Sequence, residues 1–181
     1  YPVVFGSAGS SISLALAPLA NQNKTILMSP VSSSSKLSEE GGDYFFRTVP
    51  ADNLQEKMLA NWVLKENIEK VAIVFTNNSW GKPLADGFEK EFTEKNGKVV
   101  LKEGVQESTT DFRTIIMKLK DLDLDAIVSP TYPVGGGNFV KQLTEAGLDL
   151  PLYGGDNWFS PEFRDIAKNA ANGVKFTFPA K

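Results

Sequence analysis

Cysteine and histidine are both absent from this 181-residue sequence. Their absence excludes disulfides, thiolate nucleophiles, Cys/His zinc sites, Ser-His-Asp triads and imidazole acid-base catalysis. The sequence also lacks an apolar run of the roughly 20 residues that a bilayer-spanning helix needs. The net charge is −3 and the lysines alternate with carboxylates, so we expect no nucleic-acid partner. The chain opens at Tyr1 without a methionine or a basic leader, which indicates a piece of a longer protein.

What is present is the pattern of a folded α/β protein. Short apolar runs of buried-strand length recur at residues 3–5, 25–28, 44–47, 71–75, 98–102, 125–129, 150–153 and 174–178. Amphipathic stretches with a helical period lie between many of them. Strands that alternate with helices predict βαβ units and doubly wound, mostly parallel sheets. Two capping boxes, Asn53 with Glu56 and Ser108 with Asp111, predict helix starts.

Two segments marked by proline predict crossings between lobes. Residues 47–52 follow a strand and contain Pro50, while Pro179 closes the last strand. We therefore predict three parts of the chain. They are a partial N-terminal lobe (1–50), a complete second Rossmann-like lobe (51–178) and the start of a return crossover (179–181).

Two serine-rich loops follow the first two strands, where parallel sheets bind ligands. Ser10 and Ser11 end a glycine-containing loop and open an apolar-periodic stretch, so hydroxyls and free backbone N–H groups there suit a carboxylate or phosphate. The alternative is that both serines only cap the helix. After the second strand, a hydroxyl and the backbone carbonyls near Pro30 suit an ammonium group, with a solvated serine loop as the alternative.

Aromatic rings and one carboxylate follow three later strands. Trp80 and Tyr132 lie at loop tips, where each ring either forms the wall of a cleft or packs under its loop. Asp156 lies on a glycine-rich strand exit, where a carboxylate can pair with a ligand cation. The alternative for Asp156 is the N-cap of the next helix, although Ser160 already offers that helix a start. The glycines at 135–137 lack the lysine of a phosphate loop and predict a flexible helix entry.

Read in order, these pieces resemble the type I periplasmic solute-binding proteins, in the leucine/isoleucine/valine-binding branch that serves ABC importers. The matching segments are Val-Val-Phe-Gly at 3–6, Ile-Leu-Met-Ser-Pro at 26–30, Tyr-Phe-Phe-Arg-Thr-Val-Pro at 44–50, Lys-Val-Ala-Ile-Val-Phe at 70–75, Ser-Trp-Gly at 79–81 and Gly-Gly-Asp-Asn-Trp at 154–158. The resemblance implies two lobes joined by three crossovers. The chain departs from it because the opening βα units of the first lobe and its C-terminal return are absent.

The resemblance also implies roles for particular residues. It implies that Ser10 and Ser33 hold the ligand carboxylate, and that the Val31 carbonyl and Asp156 hold the ammonium group. It places Tyr132 as a contact from the second lobe. It implies an aromatic wall at the position of Trp80.

The expected function is capture of an amino acid or similar zwitterion by an extracytoplasmic binding protein that catalyses nothing. Aliphatic amino acids are the leading expectation, with amides and aromatic acids behind them. The expected partner is the membrane permease of an ABC transporter, the location is periplasmic or extracellular with a lipoprotein anchor as an option, and no cofactor or metal is expected. Two alternatives stay open: the ligand-binding sensor domain of a receptor or regulator, and a flavodoxin-like or other α/β enzyme that uses Ser, Asp, Lys or Tyr.

Overall fold

The computed structural model describes residues 2–179, in which helices alternate with short strands. The strands are β1 (Val3–Phe5), β2 (Ile26–Ser29), β3 (Phe45–Arg47), β4 (Lys70–Thr76), β5 (Lys98–Val105), β6 (Ala126–Ser129), β7 (Leu152–Gly154) and β8 (Lys175–Phe176). The helices are α1 (Ser10–Gln22), α2 (Leu37–Glu40), α3 (Asp52–Lys65), α4 (Gly81–Thr93), α5 (Arg113–Lys120), α6 (Pro133–Glu145) and α7 (Pro161–Ala167). Two 3₁₀ turns, Asp156–Trp158 and Lys168–Ala171, precede and follow α7.

The strands form two sheets in which every described pairing is parallel. One sheet has the order β1-β2-β3 and the other the order β5-β4-β6-β7-β8. The crossovers in this order confirm the predicted α/β class with doubly wound parallel sheets.

The larger sheet is buried on both faces, which explains the continuous apolar runs in its strands. Side chains alternate along β4, so Val71 and Ile73 pack against α3 and α4, while Ala72 and Val74 pack against α5 and α6. Phe88 of α4 is fully buried on the first of these faces. The core of the molecule therefore lies in two layers around β4 and β6.

The smaller sheet is covered far less completely. All three residues of β1 are exposed, and Phe5 retains 78% of its accessible surface. Apolar side chains of a parallel strand are ordinarily buried under helices on both faces. The smaller sheet thus presents apolar surface that the described residues leave open.

Several predicted boundaries were wrong, and two of the errors concern helix starts. Asn53 does not cap a helix, because the Asp52 N–H donates to the Ser33 carbonyl at 2.9 Å and α3 already begins at Asp52. Ser108 does not cap a helix either, because α5 begins at Arg113, after Phe112 has entered the core.

The strand limits shift by one to three residues. β8 is shorter than predicted because its pairing with the short β7 covers only Tyr153 with Lys175 and Gly154 with Phe176. β5 is longer, extending to Val105, because it pairs along the whole of β4.

The glycines at 135–137 were predicted as a flexible helix entry, and this was also wrong. All three are buried inside α6. A Cβ on Gly136 would lie 2.4 Å from the Trp158 indole nitrogen, and one on Gly137 would lie 2.9 Å from Ile166. Gly136 and Gly137 therefore let α6 approach its neighbours closely.

The predicted division at residues 50 and 51 falls in the connection between β3 of the smaller sheet and α3. The division into a partial lobe and a complete lobe stays a prediction, and of the predicted crossover at 179–181, residues 180 and 181 lie outside the described residues. In the described part of the chain, none of the helices combines the length and apolar character needed to span a bilayer.

Candidate functional site

Serine hydroxyls join the two loops that follow β1 and β2. Ser10 Oγ accepts a hydrogen bond from the Ser34 N–H at 3.3 Å, and the Ser13 and Ser32 hydroxyls lie 2.8 Å apart. Ser10 itself is 3% exposed. Because β1 and β2 are parallel neighbours, their carboxyl ends bring these loops together as predicted.

Arg47 holds the loop after β2 through hydrogen bonds to its backbone. Its Nη1 atom donates to the carbonyls of Ser33 at 3.1 Å and Ser34 at 2.8 Å. The Ser33 carbonyl also accepts the Asp52 N–H. The Ser33 carbonyl oxygen therefore accepts two hydrogen bonds from within the protein.

The aromatic residues of the second sheet form a stacked pair. The rings of Trp80 and Tyr132 lie 5.2 Å apart at an interplanar angle of 10°. Trp80 is 3% exposed, and a Cβ on Gly155 would lie 3.2 Å from its ring. Trp80 thus supports the loop that carries Asp156.

Asp156 is partly buried at the end of β7, in the 3₁₀ turn that begins with it. Burial raises the pKa of its carboxyl group. It does not cap α7, because the Ser160 hydroxyl accepts the Glu162 N–H at 3.2 Å and caps that helix. Burial also raises the pKa of Tyr132.

The two sets of loops meet across a cavity of about 750 Å³. Val31 and Ser33 line it from one side and Asp156 from the other. Ser11 lies where the loops touch, because its hydroxyl accepts the Ser79 N–H at 3.4 Å. Carboxyl ends of strands from both sheets therefore converge on one space.

Predicted site residues divide into two groups by their position at this cavity. Val31, Ser33 and Asp156 line it, and the structure brings them together. The other four, which lie behind or beside the lining residues, are Ser10, Ser11, Trp80 and Tyr132.

Apolar side chains form much of the remaining wall, from the segment before α3, from α3 itself and from the segment after β8. They are Val49, Pro50, Leu54, Met58, Trp62, Phe176, Phe178 and Pro179. Among the described residues that line the cavity, two are carboxylates and none is a lysine or arginine. The cavity therefore suits a cationic group attached to an apolar body.

Sequence reasoning missed Asp52 and Gln55, both at the start of α3. Asp52 is 1% exposed, and burial together with the charge of Asp156 raises its pKa to about 7. Its Oδ2 atom has no hydrogen-bond partner among the described residues. For Asp52, the available sequence signal was its position at the end of the proline-marked segment 47–52. No local sequence pattern pointed to Gln55.

Comparison with known proteins adds a family match. The sequence matches the profile of the family described as periplasmic binding protein over residues 2–180. It is 26% identical over 175 residues to the Leu/Ile/Val-binding protein homolog 3 of Brucella melitensis, covering 96% of this chain and 48% of that protein. The chain thus spans about half the length of the curated relatives it matches.

Two solved structures combine the fold with measurable sequence identity. The branched-chain amino acid transporter substrate binding protein LivJ of Streptococcus pneumoniae, in complex with isoleucine, aligns with a TM-score of 0.87 and 31% identity over 97% of this chain and 50% of that one. A solute binding protein of an ABC transporter from Rhodopseudomonas palustris, in complex with 3,4-dihydroxy benzoic acid, aligns with a TM-score of 0.85 and 28% identity over 96% and 48%.

Proposed function

The chain belongs to the type I periplasmic binding proteins, in their leucine/isoleucine/valine-binding branch, and from that premise we propose that it captures an amino acid for an ABC importer. Members of this family are solute-binding proteins and not enzymes, in agreement with the expectation from the sequence. In this proposal the whole protein works outside the cytoplasm, in the periplasm or at the cell surface, and delivers its ligand to a membrane permease.

The observation that carries the proposal is the position of Asp156. Asp156 lines the same cavity as Val31 and Ser33, which follow a strand of the other sheet. A partly buried carboxylate without a lysine or arginine beside it in the described lining favours a bound cation. We assign the ligand ammonium group to Asp156 and to the Val31 carbonyl.

The ligand carboxylate is assigned to the serine loops. α1 begins at Ser10, and N–H groups in the first turn of a helix lack acceptors within the helix, so this end attracts an anion. Ser33 lines the cavity, and Ser10 and Ser11 supply further hydroxyls and N–H groups in the loop after β1, beside it. The ligand carboxylate would then contact the smaller sheet alone, while the ammonium group would contact both sheets through Val31 and Asp156.

A ligand that binds to residues of both sheets provides a mechanism by which the two parts of the chain close around it. A ligand that contacts residues from both parts of the chain stabilises the state in which they are close. We propose that residues 1–50 and 51–178 belong to two lobes, that the crossing at 48–51 acts as part of the hinge, and that 179–181 begin the return. Tyr132 and Trp80 would hold the second side of the site in place.

An aliphatic amino acid is the proposed ligand class. The apolar wall suits an aliphatic side chain, and an aromatic acid such as benzoate has no ammonium group for Asp156. The full-length protein should therefore be stabilised by leucine, isoleucine or valine and not by benzoate. At a hundred times its Kd, a ligand adds about 2.7 kcal/mol to the free energy of unfolding, which a thermal-shift panel detects.

Asp156→Asn in the full-length protein tests the role of the carboxylate. Losing one partner of a buried charge pair costs about 2–5 kcal/mol, so leucine affinity should fall at least tenfold in calorimetric titration. Asp149→Asn, at an exposed aspartate before β7, is the matched control and should bind like the unmodified protein. Unchanged affinity in Asp156→Asn would remove Asp156 from the site.

A further inference from the structure

The side-chain amide of Gln55, in the first turn of α3, contacts three separate parts of the chain. In one orientation, the amide oxygen Oε1 points toward the loop after β7, where it accepts from the Asp156 N–H at 3.2 Å and from the Thr177 hydroxyl at 2.9 Å. In the same orientation the amide nitrogen Nε2 donates to Asp52 Oδ1 at 3.3 Å. In the reverse orientation the amide keeps one bond, from Nε2 to Asp156 Oδ1 at 3.3 Å. The first orientation satisfies more donors and acceptors, and Asp156 is a partner in both.

The loop that carries Asp156 runs close to this amide. A Cβ on Gly155 would lie 3.1 Å from the Gln55 amide and 3.2 Å from the Trp80 ring, so the loop passes between the two side chains. The Thr177 N–H donates to the Gly154 carbonyl at 3.4 Å, which holds the segment after β8 against the same loop. Gln55 therefore lies where the entry to α3, the exit of β7 and the exit of β8 meet.

We propose that Gln55 is a positioning residue that fixes the backbone of Asp156 and couples it to the start of α3 and to the segment after β8. This inference rests on the proposed function, because it assigns Gln55 an effect on the residue that binds the ammonium group. Gln55 also lines the cavity, and the role proposed for it is an effect on Asp156 and not a contact with the ligand. It acts through the Asp156 N–H.

An amide suits this position for an electrostatic reason. Asp52 and Asp156 are close enough for the charge of Asp156 to raise the pKa of Asp52. An amide offers both a donor and an acceptor without adding charge, whereas glutamate would add a third carboxylate. An apolar side chain would leave the Asp156 N–H without its partner.

Hydrogen exchange at the Asp156 N–H tests the proposal without any ligand. In Gln55→Met, a change of similar volume, exchange at this amide should become roughly tenfold faster, because its acceptor is gone. Gln142→Met is the control, since the Gln142 amide bridges Phe112 N and Thr110 O in the same manner far from the site. The control should leave exchange at Asp156 unchanged, and unchanged exchange in Gln55→Met would overturn the proposal.

A double-mutant cycle separates positioning from general stability. Gln55→Met alone should weaken leucine binding about fivefold or more, but less than twofold when added to Asp156→Asn, because both changes then affect one interaction. Additive losses would overturn the positioning role and indicate an independent effect of Gln55 on the fold. If the unmodified protein bound no amino acid, the proposed function would fail, and the exchange experiment would still decide the role of Gln55.

Discussion

At the scale of single residues, the cavity is lined by two carboxylates that the fold keeps partly or wholly from water. Asp52 is the extreme case, with 1% exposure and an oxygen that has no partner among the described residues. Burial is the main cause that raises its pKa to about 7, and the charges of Asp156 and Glu56 act in the same direction while Arg47 opposes them. Near pH 7, ionising Asp52 therefore costs stability.

The pH dependence of Asp52→Asn tests this. An acid with a raised folded pKa binds its proton more tightly in the folded state, so the stability that it gives is present below its unfolded pKa of about 4 and is lost as the pH rises to about 7. Asp52→Asn has no such loss. Its free energy of unfolding relative to the unmodified protein should therefore increase between about pH 4 and pH 7, measured by urea denaturation.

The control for this experiment is Asp121→Asn, at an exposed aspartate after α5. We expect its difference from the unmodified protein to show no comparable rise over that range. A difference that stays constant with pH in Asp52→Asn would mean that folding does not raise the pKa of Asp52, contrary to this account.

At the scale of elements, close packing of α6 determines where the β7 loop lies. Gly136 lies against Trp158, and Trp158 donates from its indole nitrogen to Thr131 Oγ1 at 3.3 Å. A Cβ on Gly154 would lie 2.3 Å from the Trp158 ring. Trp158 therefore links α6, the β6 loop and the strand that leads to Asp156.

Alanine substitutions in α6 should have opposite effects at adjacent glycines. Gly135→Ala meets only ordinary contacts of 3.5 Å and 3.8 Å, so better helix propensity should stabilise the protein by up to about 1 kcal/mol. Gly136→Ala would place a methyl group against Trp158 and should destabilise it by about 1–3 kcal/mol. Thermal or urea unfolding measures both, and equal effects would refute the packing argument.

The sequence alone was sufficient for the alternation of strands and helices and for the loops that contain the residues lining the cavity. The rule for parallel sheets pointed to the loops after β2 and β7 and to Asp156, because it needs only local patterns, whereas Val31 and Ser33 were named from the family resemblance. Gln55 could not be predicted this way. Its partner Thr177 is remote in sequence, and a glutamine on an amphipathic helix is ordinarily a solvent-facing residue.

The starts of α3 and α5 were predicted wrongly because contacts with residues distant in sequence determine where these helices begin. Asn53 with Glu56 fits the capping pattern, but the Ser33 carbonyl takes the Asp52 N–H, and Glu56 is 9% exposed beside Gly87 of α4. No local pattern reports a neighbour that is distant in sequence. Where the chain passes from one sheet to the other, such distant neighbours have the largest effect on where a helix begins.

At the scale of the whole molecule, the described residues form one sheet whose two faces are both buried and a second, smaller sheet that exposes apolar side chains. The chain spans about half the length of its relatives, and β1 exposes apolar side chains. In our proposal, the rest of the protein covers this sheet and completes the first lobe. The cavity between the sheets then becomes a cleft with neutral serine groups on one side and the Asp156 carboxylate on the other.

The crystal structure of the full-length protein with bound leucine tests the central claim most directly. We predict that the ligand nitrogen lies within about 3.2 Å of an Asp156 carboxylate oxygen, with the ligand carboxylate at the loops of Ser10 and Ser33. A ligand bound elsewhere, or one whose nitrogen is remote from Asp156, would contradict the account.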